Sequence, residues 1–275
     1  MTSAANAHPA PIPASAQSRE WDGYAEEWIA HCPQPFWRAH SDAVNSALIA
    51  RWLPPGTVDR ILKTDLFDEA VATGLCPAIA GRCRTLIGID VSRRVVAAAS
   101  DRYPRLRSAG ADVRHLPLDD CSIDAVVSIS TLDHFATSDD IAAALKEIYR
   151  VLRPGGTLVL TLDNLSNPVV ALRNALPYSL THAAGLVPYP VGKTHGPQGA
   201  RRLVENAGLI VAECTAVMHA PRVVAVPFAR LIEKWGGERL QDAVSRALLA
   251  FERLRPLPTA FVTGHFVAIR ATRAL

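Results

Sequence analysis

The chain has 275 residues, of which 49% are hydrophobic and 20% charged, and its formal net charge is +3. This length allows one large domain or two small ones, with a substantial buried core. The composition excludes collagen, a coiled coil and a wholly disordered chain. The small positive charge gives little support to nucleic-acid binding, because the basic residues are scattered along the chain.

The five cysteines, spread from Cys32 to Cys214, form no CxxC pair. An odd number at such spacing argues against a disulfide framework or a zinc site, so we expect no metal and a cytoplasmic location. Residues 1–18, rich in alanine, proline and serine, are predicted to be a disordered leader and not a signal peptide. No apolar run is long enough to predict a membrane span.

Residues 19–56 are predicted to form a helical cap, because apolar and aromatic residues such as Trp21 and Trp28 recur there at helical spacing. Short apolar runs then alternate with helical stretches. The elements predicted next are strand 60–66, helix 69–80, strand 85–91, helix 92–100, strand 112–116 and strand 123–130. Ser138 is predicted to cap the following helix, and strand 157–162 comes after it.

The second half of the chain is less regular. Residues 164–197 contain five prolines and no clear strand, which predicts a lid or a binding segment. Helix 198–207, strand 209–218, a mostly helical stretch over 227–254 and strand 260–271 follow. The apolar run 221–231 could meet a partner subunit or a membrane surface, but we interpret it as core, since its polar face lacks the basic stripe of an interfacial helix. Alternating strands and helices predict an α/β, doubly wound, mostly parallel sheet. Residues 19–275 would form one domain, with 164–197 and 220–259 as substrate-side insertions.

Three stretches resemble the class I S-adenosylmethionine-dependent methyltransferases, of the small-molecule type, over about residues 60–208 and more loosely through the last strand. Leu86–Ser92 (LIGIDVS) is similar to the second-strand motif and Asp112–Ser128 to the third. Leu145–Thr161 is similar to the helix, proline-glycine turn and fifth strand. The resemblance implies a seven-stranded Rossmann-like sheet, transferase activity and S-adenosylmethionine as cofactor.

The resemblance also implies which residues hold the cofactor. Asp90 would bind both ribose hydroxyls and Asp112 the adenine amino group, while Val91 and Val113 would flank the adenine and Ser130 would lie near the methyl group. Their positions agree with general rules, because ligands bind at the carboxyl ends of parallel strands and carboxylates accept hydrogen bonds from hydroxyl and amine donors. The alternatives are a helix N-terminal acid at Asp90 and a solvated loop acid at Asp112.

The first motif departs from the family, which has an acid followed by a glycine-rich turn. Lys63 occupies the position of the acid, and no glycine occurs before Gly74. The positions of the small residues hold Asp65, Leu66 and Phe67. The cofactor carries a sulfonium and an ammonium, so an unpaired cation would repel it. Lys63 and Asp65 share one face of an extended segment. We therefore expect Asp65 to neutralise Lys63, or else Asp65, Asp68 or Glu69 to contact the ammonium.

Two histidines are candidates for a general base. His134 follows the fourth predicted strand, and His195 lies in the predicted lid. Methyl transfer needs positioning and sometimes a base, and histidine exchanges its proton near neutral pH. The alternative is a surface or hydrogen-bonded histidine at each position. His265 is interpreted as a packed strand residue, and the aromatic residues of the cap as packing or as pocket walls.

These observations predict methyl transfer from S-adenosylmethionine to an oxygen or nitrogen of a small metabolite, with no nucleic-acid partner. Two alternatives stay open. The fold could have lost its chemistry and kept a binding or regulatory role, which the altered turn at Lys63–Glu69 would favour. The same site could also perform chemistry other than methyl transfer.

Overall fold

The structure, a computed structural model, describes residues 16–183 and 191–275, and its centre is a seven-stranded sheet. The strands are β1 (Val58–Lys63), β2 (Cys83–Asp90), β3 (Arg107–Gly110), β4 (Ile123–Ile129), β5 (Leu152–Asp163), β6 (Leu209–Val217) and β7 (Phe266–Arg273). Their order is β3-β2-β1-β4-β5-β7-β6. The first five pair in parallel, while β7 is antiparallel to both β5 and β6. The predicted α/β, mostly parallel sheet is confirmed.

Helices cover both faces of this sheet. In chain order they are α1 (Ala16–His31), α2 (Pro35–Trp52), α3 (Phe67–Val71), α4 (Cys76–Ala80), α5 (Arg93–Arg102), α6 (Ser138–Val151), α7 (Pro168–Ala175), α8 (Tyr178–Ala183), α9 (Pro197–Asn206), α10 (Arg222–Trp235), α11 (Glu238–Ala250) and α12 (Ala260–Thr263). Residues of α2, α4 and α5 belong to one apolar core and those of α6 and α9 to the other. Ile61 and Leu62, neighbours in β1, enter opposite cores, as the twofold period of a strand requires.

The third strand lies earlier than predicted. It spans Arg107–Gly110, whereas the predicted strand 112–116 is a turn and the prediction is wrong there. The Asp112 carboxylate accepts a hydrogen bond of 2.9 Å from the backbone N–H of Arg114. Such a local side-chain bond competes with the hydrogen bonds of a sheet. Asp112 therefore follows the end of β3 and lies in a loop.

The predicted helix 69–80 is two short helices, α3 and α4, separated by a turn at Gly74. Gly74 has a φ of +62°, a conformation that side chains other than glycine adopt at a cost. A Cβ atom at this position would lie 2.7 Å from Glu69 Oε1. The break thus brings the start of α4 against the Glu69 carboxylate.

Smaller differences from the predicted elements are also present. Thr137, and not Ser138, caps α6, because its side chain accepts the backbone N–H of Asp140. The predicted strand 260–271 begins as α12, and strand structure starts only at Phe266. The predicted lid 164–197 contains α7 and α8, while its residues 184–190 lie outside the described residues. Of the predicted leader 1–18, residues 16–18 form the start of α1, and 1–15 are not described.

Candidate functional site

A cavity lies at the carboxyl ends of β1, β2 and β4, where the strand order reverses. Open α/β sheets bind their ligands at this switch point. The cavity has a volume of about 180 Å³ and is open to solvent on one side.

The cavity has a sheet side and a cap side. The sheet side and the loops after it contribute Thr64, Asp65, Phe67, Asp68, Asp90, Val91, Ala111, Asp112, Val113, Ile129, Ser130, Thr131, His134 and Phe135. The cap contributes Trp21, Trp28, Gln34, Trp37, Arg38, Ser41 and Asn45. Met218, Arg222, His265 and Phe266, from the ends of β6 and β7 and the start of α10, complete the wall. All six predicted cofactor residues thus share one cavity with His134. Within the described part of the chain, His195 is not among the lining residues.

Asp90, the last residue of β2, is buried and holds two segments of backbone. Its Oδ2 accepts a hydrogen bond from the N–H of Leu66 at 3.0 Å, and its Oδ1 accepts one from the N–H of Ser92 at 2.8 Å. Burial raises its pKa to about 7, although both backbone hydrogen bonds act in the opposite direction. Because a carboxylate oxygen can accept more than one hydrogen bond, both oxygens keep capacity for a ribose diol.

Asp112 lies at the cavity wall but is already held by Arg114. The two carboxylate oxygens accept hydrogen bonds from Arg114 Nε, both at 3.1 Å, and Oδ2 also accepts one from Nη2 at 2.6 Å. Burial would raise the pKa of Asp112, but the bonds to Arg114 outweigh it and lower the pKa. Arg114 also bonds Asp140 at 2.6 Å and lies 4.7 Å above the Phe135 ring. The carboxylate is therefore a fixed acceptor with a partly neutralised charge.

Lys63 is fully buried behind the cavity and is neutralised there. Its Nζ lies 2.9 Å from Glu69 Oε2 and 3.3 Å from Asp65 Oδ1, and it donates a hydrogen bond of 2.7 Å to the backbone carbonyl of Asp65. Burial alone would lower the pKa of Lys63, but attraction by the two carboxylates raises it above its ordinary value. The predicted pairing of Asp65 with Lys63 is present, and Glu69 strengthens it.

Glu69 binds both Lys63 and the backbone at the start of α4. Its side chain is fully buried, and its Oε1 accepts hydrogen bonds from the N–H groups of Leu75 at 2.7 Å and Cys76 at 3.1 Å. The lining residues of the described chain do not include Glu69. As an alternative contact for the cofactor ammonium, Glu69 has no support from this geometry.

The large residues that stand in place of the family's glycines pack their side chains against other parts of the protein and do not fill the cavity. Leu66 is buried against β2, where a Cβ atom on Gly88 would lie 2.5 Å from Leu66 Cδ2. The Phe67 ring packs among the cap aromatics, 5.5 Å from the ring of Trp28 and 6.2 Å from that of Trp21. Asp68 forms an ion pair with Arg38 of α2. The turn without glycines therefore leaves the cavity open.

Asp65 carries the negative charge of this turn to the cavity. Its Oδ2 accepts a hydrogen bond of 2.8 Å from Thr131 Oγ1. The side chains of Asp65 and Glu69 together bear two negative charges against the single positive charge of Lys63. The excess negative charge lies at the partly exposed member, Asp65, which lines the cavity. This end of the cavity attracts a cation.

His134 lies on the loop after β4, at the end of a short 3-10 helix, Leu132–His134. Its ring meets the Trp21 ring of α1 edge-on, 5.0 Å between centroids. Asp133 is buried, and its Oδ2 accepts hydrogen bonds from Ser130 Oγ at 3.1 Å and the backbone N–H of Asp163 at 3.0 Å. Burial raises the pKa of Asp133 to about 6. The loop thus places both Ser130 and His134 at the cavity.

His195 is held on the far side of this loop. Its ring Nε2 lies 3.2 Å from Ser138 Oγ, and its backbone carbonyl accepts a hydrogen bond from the N–H of Leu165. Burial lowers its pKa. His195 therefore joins the segment after β5 to the start of α6, and the geometry favours His134 over His195 as a base.

Several lining residues were not predicted from the sequence. His265 precedes β7, is buried and lines the cavity, with its Nε2 3.5 Å from Asp163 Oδ1. Burial lowers its pKa to about 4, so this ring is neutral at pH 7. Arg222, the first residue of α10, also lines the cavity and forms no ion pair with any residue that the structure describes. The sequence gives no signal for Arg38 or Arg222, since arginines on helices are ordinarily solvated.

The segment after β5 touches the cap over the cavity. The hydroxyl group of Tyr24 in α1 is hydrogen-bonded to Tyr178 of α8. Burial, followed by this hydrogen bond, raises the pKa of Tyr24 to about 12. The contact joins α8 to the cap, and the covering of a binding site by residues 164–197 stays a prediction.

The fold and the cavity together define a Rossmann-like methyltransferase architecture, and comparisons with known proteins agree. The family described as "Methyltransferase domain" matches residues 70–160. A protein of Mycolicibacterium smegmatis named "Probable S-adenosylmethionine-dependent methyltransferase" is 29% identical over 170 residues, which are 62% of this chain and 59% of that protein. The chain thus matches little more than half the length of this relative.

Solved structures show the same fold. Haemonchus contortus phosphoethanolamine N-methyltransferase 2, in complex with phosphomonomethylethanolamine and S-adenosylhomocysteine, is 18% identical and has a TM-score of 0.55. That match covers 84% of this chain and 52% of the other. The cyclase SpnF is 16% identical, with a TM-score of 0.57 over 97% of this chain and 98% of that one. The matched domain and the fold thus make this chain similar to the class I S-adenosylmethionine-dependent methyltransferases.

Proposed function

We propose that this protein transfers a methyl group from S-adenosylmethionine to an oxygen or nitrogen atom of a small molecule. The observation that supports this most is the convergence of Asp65, Asp90, Asp112 and His134 on one cavity beneath an aromatic cap. Three carboxylates at successive positions of the wall match the donors of a cofactor that bears an amine, a diol and an ammonium. The bound cofactor would supply a methyl group on a sulfonium.

Each of these residues binds a different part of the cofactor. Asp90 accepts hydrogen bonds from the ribose hydroxyls, and Asp112 accepts one from the adenine amino group. Val91 and Val113 pack against the adenine ring. Asp65, with its excess negative charge, binds the ammonium, and Thr131 orients it through the 2.8 Å hydrogen bond.

The acceptor occupies the space between the cap and His134. The polar side chains of Asn45 and Arg38 also line this space, and their amide and guanidinium groups can bind polar groups of the acceptor. Trp28 and Trp37 give this molecule flat apolar walls. His134 removes the proton from its attacking oxygen or nitrogen.

Calorimetric titration with S-adenosylmethionine and S-adenosylhomocysteine tests the cofactor site. Asp90→Ala should weaken both ligands by roughly 10–100-fold, as expected for lost hydrogen bonds to a charged group. Asp101→Ala, which removes an exposed aspartate of α5, is the matched control and should bind as the parent does. The proposal fails if neither ligand binds the parent protein at millimolar concentration.

Turnover of a labelled cofactor against a panel of hydroxyl and amine acceptors tests the reaction. His134→Gln should reduce the turnover number by about 10²–10⁴-fold, the usual contribution of a general base. The dissociation constant of S-adenosylmethionine should stay unchanged. Equal turnover in parent and variant would remove His134 as the base. Cofactor binding without transfer to any acceptor would favour a binding role or chemistry other than methylation.

A further inference from the structure

The outward face of α10 carries an apolar stripe that no described residue covers. Ala225, Ala229 and Ile232 of this helix are buried against the body of the protein. On the other side Val224 is 64% exposed, Phe228 45%, Leu231 54% and Trp235 74%. Spacings of four, three and four residues place these side chains on one helical face. The interpretation of residues 221–231 as core is wrong for this face.

Positive charge borders the stripe. Arg230 and Lys234 are exposed, one helical turn apart, and form no ion pair with any residue in the described ranges. Lys234 Nζ lies 5.0 Å above the centre of the Trp235 ring. The acid of α10, Glu233, turns inward, where its Oε1 accepts a 2.7 Å hydrogen bond from the backbone N–H of Phe36. The outward face of α10 is therefore apolar and cationic.

The charge of the chain is concentrated in the same region. Residues 220–259 contain seven arginine or lysine residues and four acidic ones, while the rest of the chain has equal numbers of basic and acidic residues. The whole net charge of +3 therefore belongs to the segment formed by α10, α11 and the residues around them. Its partner surface should be negative.

We propose that α10 docks this protein on the surface of an anionic lipid bilayer. Tryptophan, phenylalanine and leucine on one face, flanked by lysine and arginine, are the features of a helix that lies in the membrane interface. The long side chains of Arg230 and Lys234 can cover apolar surface with their methylene groups and keep their charges at the lipid headgroups. The helix lies on the surface and does not cross, since no helix of residues 16–183 and 191–275 is long and apolar enough to span a membrane.

A second copy of the chain fits this face less well. Twofold symmetry would bring the same patch of both copies together, so that Arg230 and Lys234 would face their own equivalents. Like charges opposed across an interface are unfavourable. The docking helix begins at Arg222, which lines the cavity, so a docked α10 brings the cavity close to the lipid headgroups. The docking is independent of the proposed methyl transfer.

Sedimentation with vesicles tests this proposal on the full chain. The protein should sediment with vesicles of phosphatidylcholine and phosphatidylglycerol, and less with phosphatidylcholine alone. Arg230→Gln with Lys234→Gln should weaken binding to the anionic vesicles by about 30-fold, or roughly fivefold for each charge. Phe228→Ser with Trp235→Ser should weaken binding to both kinds of vesicle by at least tenfold.

Ile210→Ser is the matched control, because Ile210 is an apolar residue of β6 whose exposure, 57%, lies between those of Phe228 and Trp235. It should sediment as the parent does, and circular dichroism should show the same fold in all variants. The proposal is overturned if the parent chain does not sediment with anionic vesicles. It is also overturned if light scattering finds a dimer that Phe228→Ser dissociates, since the stripe is then an interface between two copies.

Discussion

The ends of β1 and β2 form neighbouring parts of the same cavity wall, yet they are stabilised differently. At the end of β2 a single buried carboxylate, Asp90, accepts two backbone N–H groups. At the end of β1 three charged side chains, Lys63, Asp65 and Glu69, form an ion cluster whose excess negative charge lies at Asp65. Asp90 joins the two regions, because one of its hydrogen bonds comes from Leu66 in the turn after β1.

The turn after β1 shows that a glycine-rich turn is not required for an open cavity. Glycine normally lets the backbone approach a ligand because it has no side chain. In this chain the turn has side chains, but Leu66 enters the core and Phe67 joins the cap. A buried ion cluster holds this turn in place, whereas the family has a turn of glycines at the same position.

The largest expected effect comes from breaking the ion cluster. Lys63→Met leaves Glu69 buried without its cation, and removing one partner of a buried ion pair costs about 3–5 kcal/mol. The free energy of unfolding in urea should fall by that amount. The double variant Lys63→Met with Glu69→Gln should lose less unfolding free energy than the sum of the losses of the two single variants, since the residues are coupled.

Arg84→Gln is the control for this prediction. Arg84 forms an ion pair with Asp59, and their side chains are 80% and 54% exposed, so the change should alter stability by less than about 0.5 kcal/mol. A loss in Lys63→Met as small as that in Arg84→Gln would mean that the cluster does not stabilise the turn.

An intermediate effect is expected at Asp90. Its pKa is raised to about 7 by burial, whereas an aspartate in the unfolded chain titrates near ~4. Between these values the folded protein binds more protons than the unfolded one, so the contribution of Asp90 lowers stability as pH rises from about 4 to 7. The change should be on the order of 2 kcal/mol, since water in the cavity reduces the cost of burial.

Urea unfolding at pH 5, 6, 7 and 8 measures this contribution. Asp90→Asn cannot ionise, and its unfolding free energy should fall less steeply over the same range than that of the parent. Other buried acids, such as Asp133, titrate in both proteins and cancel in the comparison. Parallel curves for the parent and Asp90→Asn would contradict the prediction.

The smallest effect is expected at Thr131, which joins the end of β1 to the loop after β4. Thr131→Val removes the hydrogen bond to Asp65 Oδ2 and should weaken S-adenosylmethionine about fivefold in titration calorimetry, for a loss of about 1 kcal/mol. Thr85→Val in β2, outside the cavity-lining residues of the described chain, should leave the affinity unchanged. An identical loss in both variants would point to a general effect of the substitution.

The features that depend on local pattern could be predicted from the sequence. The run of strand and helix elements gave the sheet, and the twofold period of a strand gave the pairing of Lys63 with Asp65. The position of Asp90 at a strand end placed it at the cavity. These predictions need only neighbours along the chain.

The features that depend on distant contacts could not be predicted. Glu69 reaches Lys63 because Gly74 breaks the predicted helix and turns α4 back onto it. Arg222 reaches the cavity from a helix that begins 88 residues after His134. The predicted strand 112–116 was wrong because the side chain of Asp112 bonds its own turn, and periodicity does not report such a bond.

The position of β7 has a consequence for how the protein is made. This strand is the last of the seven in sequence, yet it lies between β5 and β6. During synthesis β5, whose residues 156–163 are buried in the finished fold, has an unpaired edge until residue 273 has left the ribosome. An apolar strand edge of this kind pairs readily with other chains. Aggregation during translation, more than unfolding of the finished protein, is therefore the hazard that this topology creates, and a slow step just before β7 would lengthen the exposure.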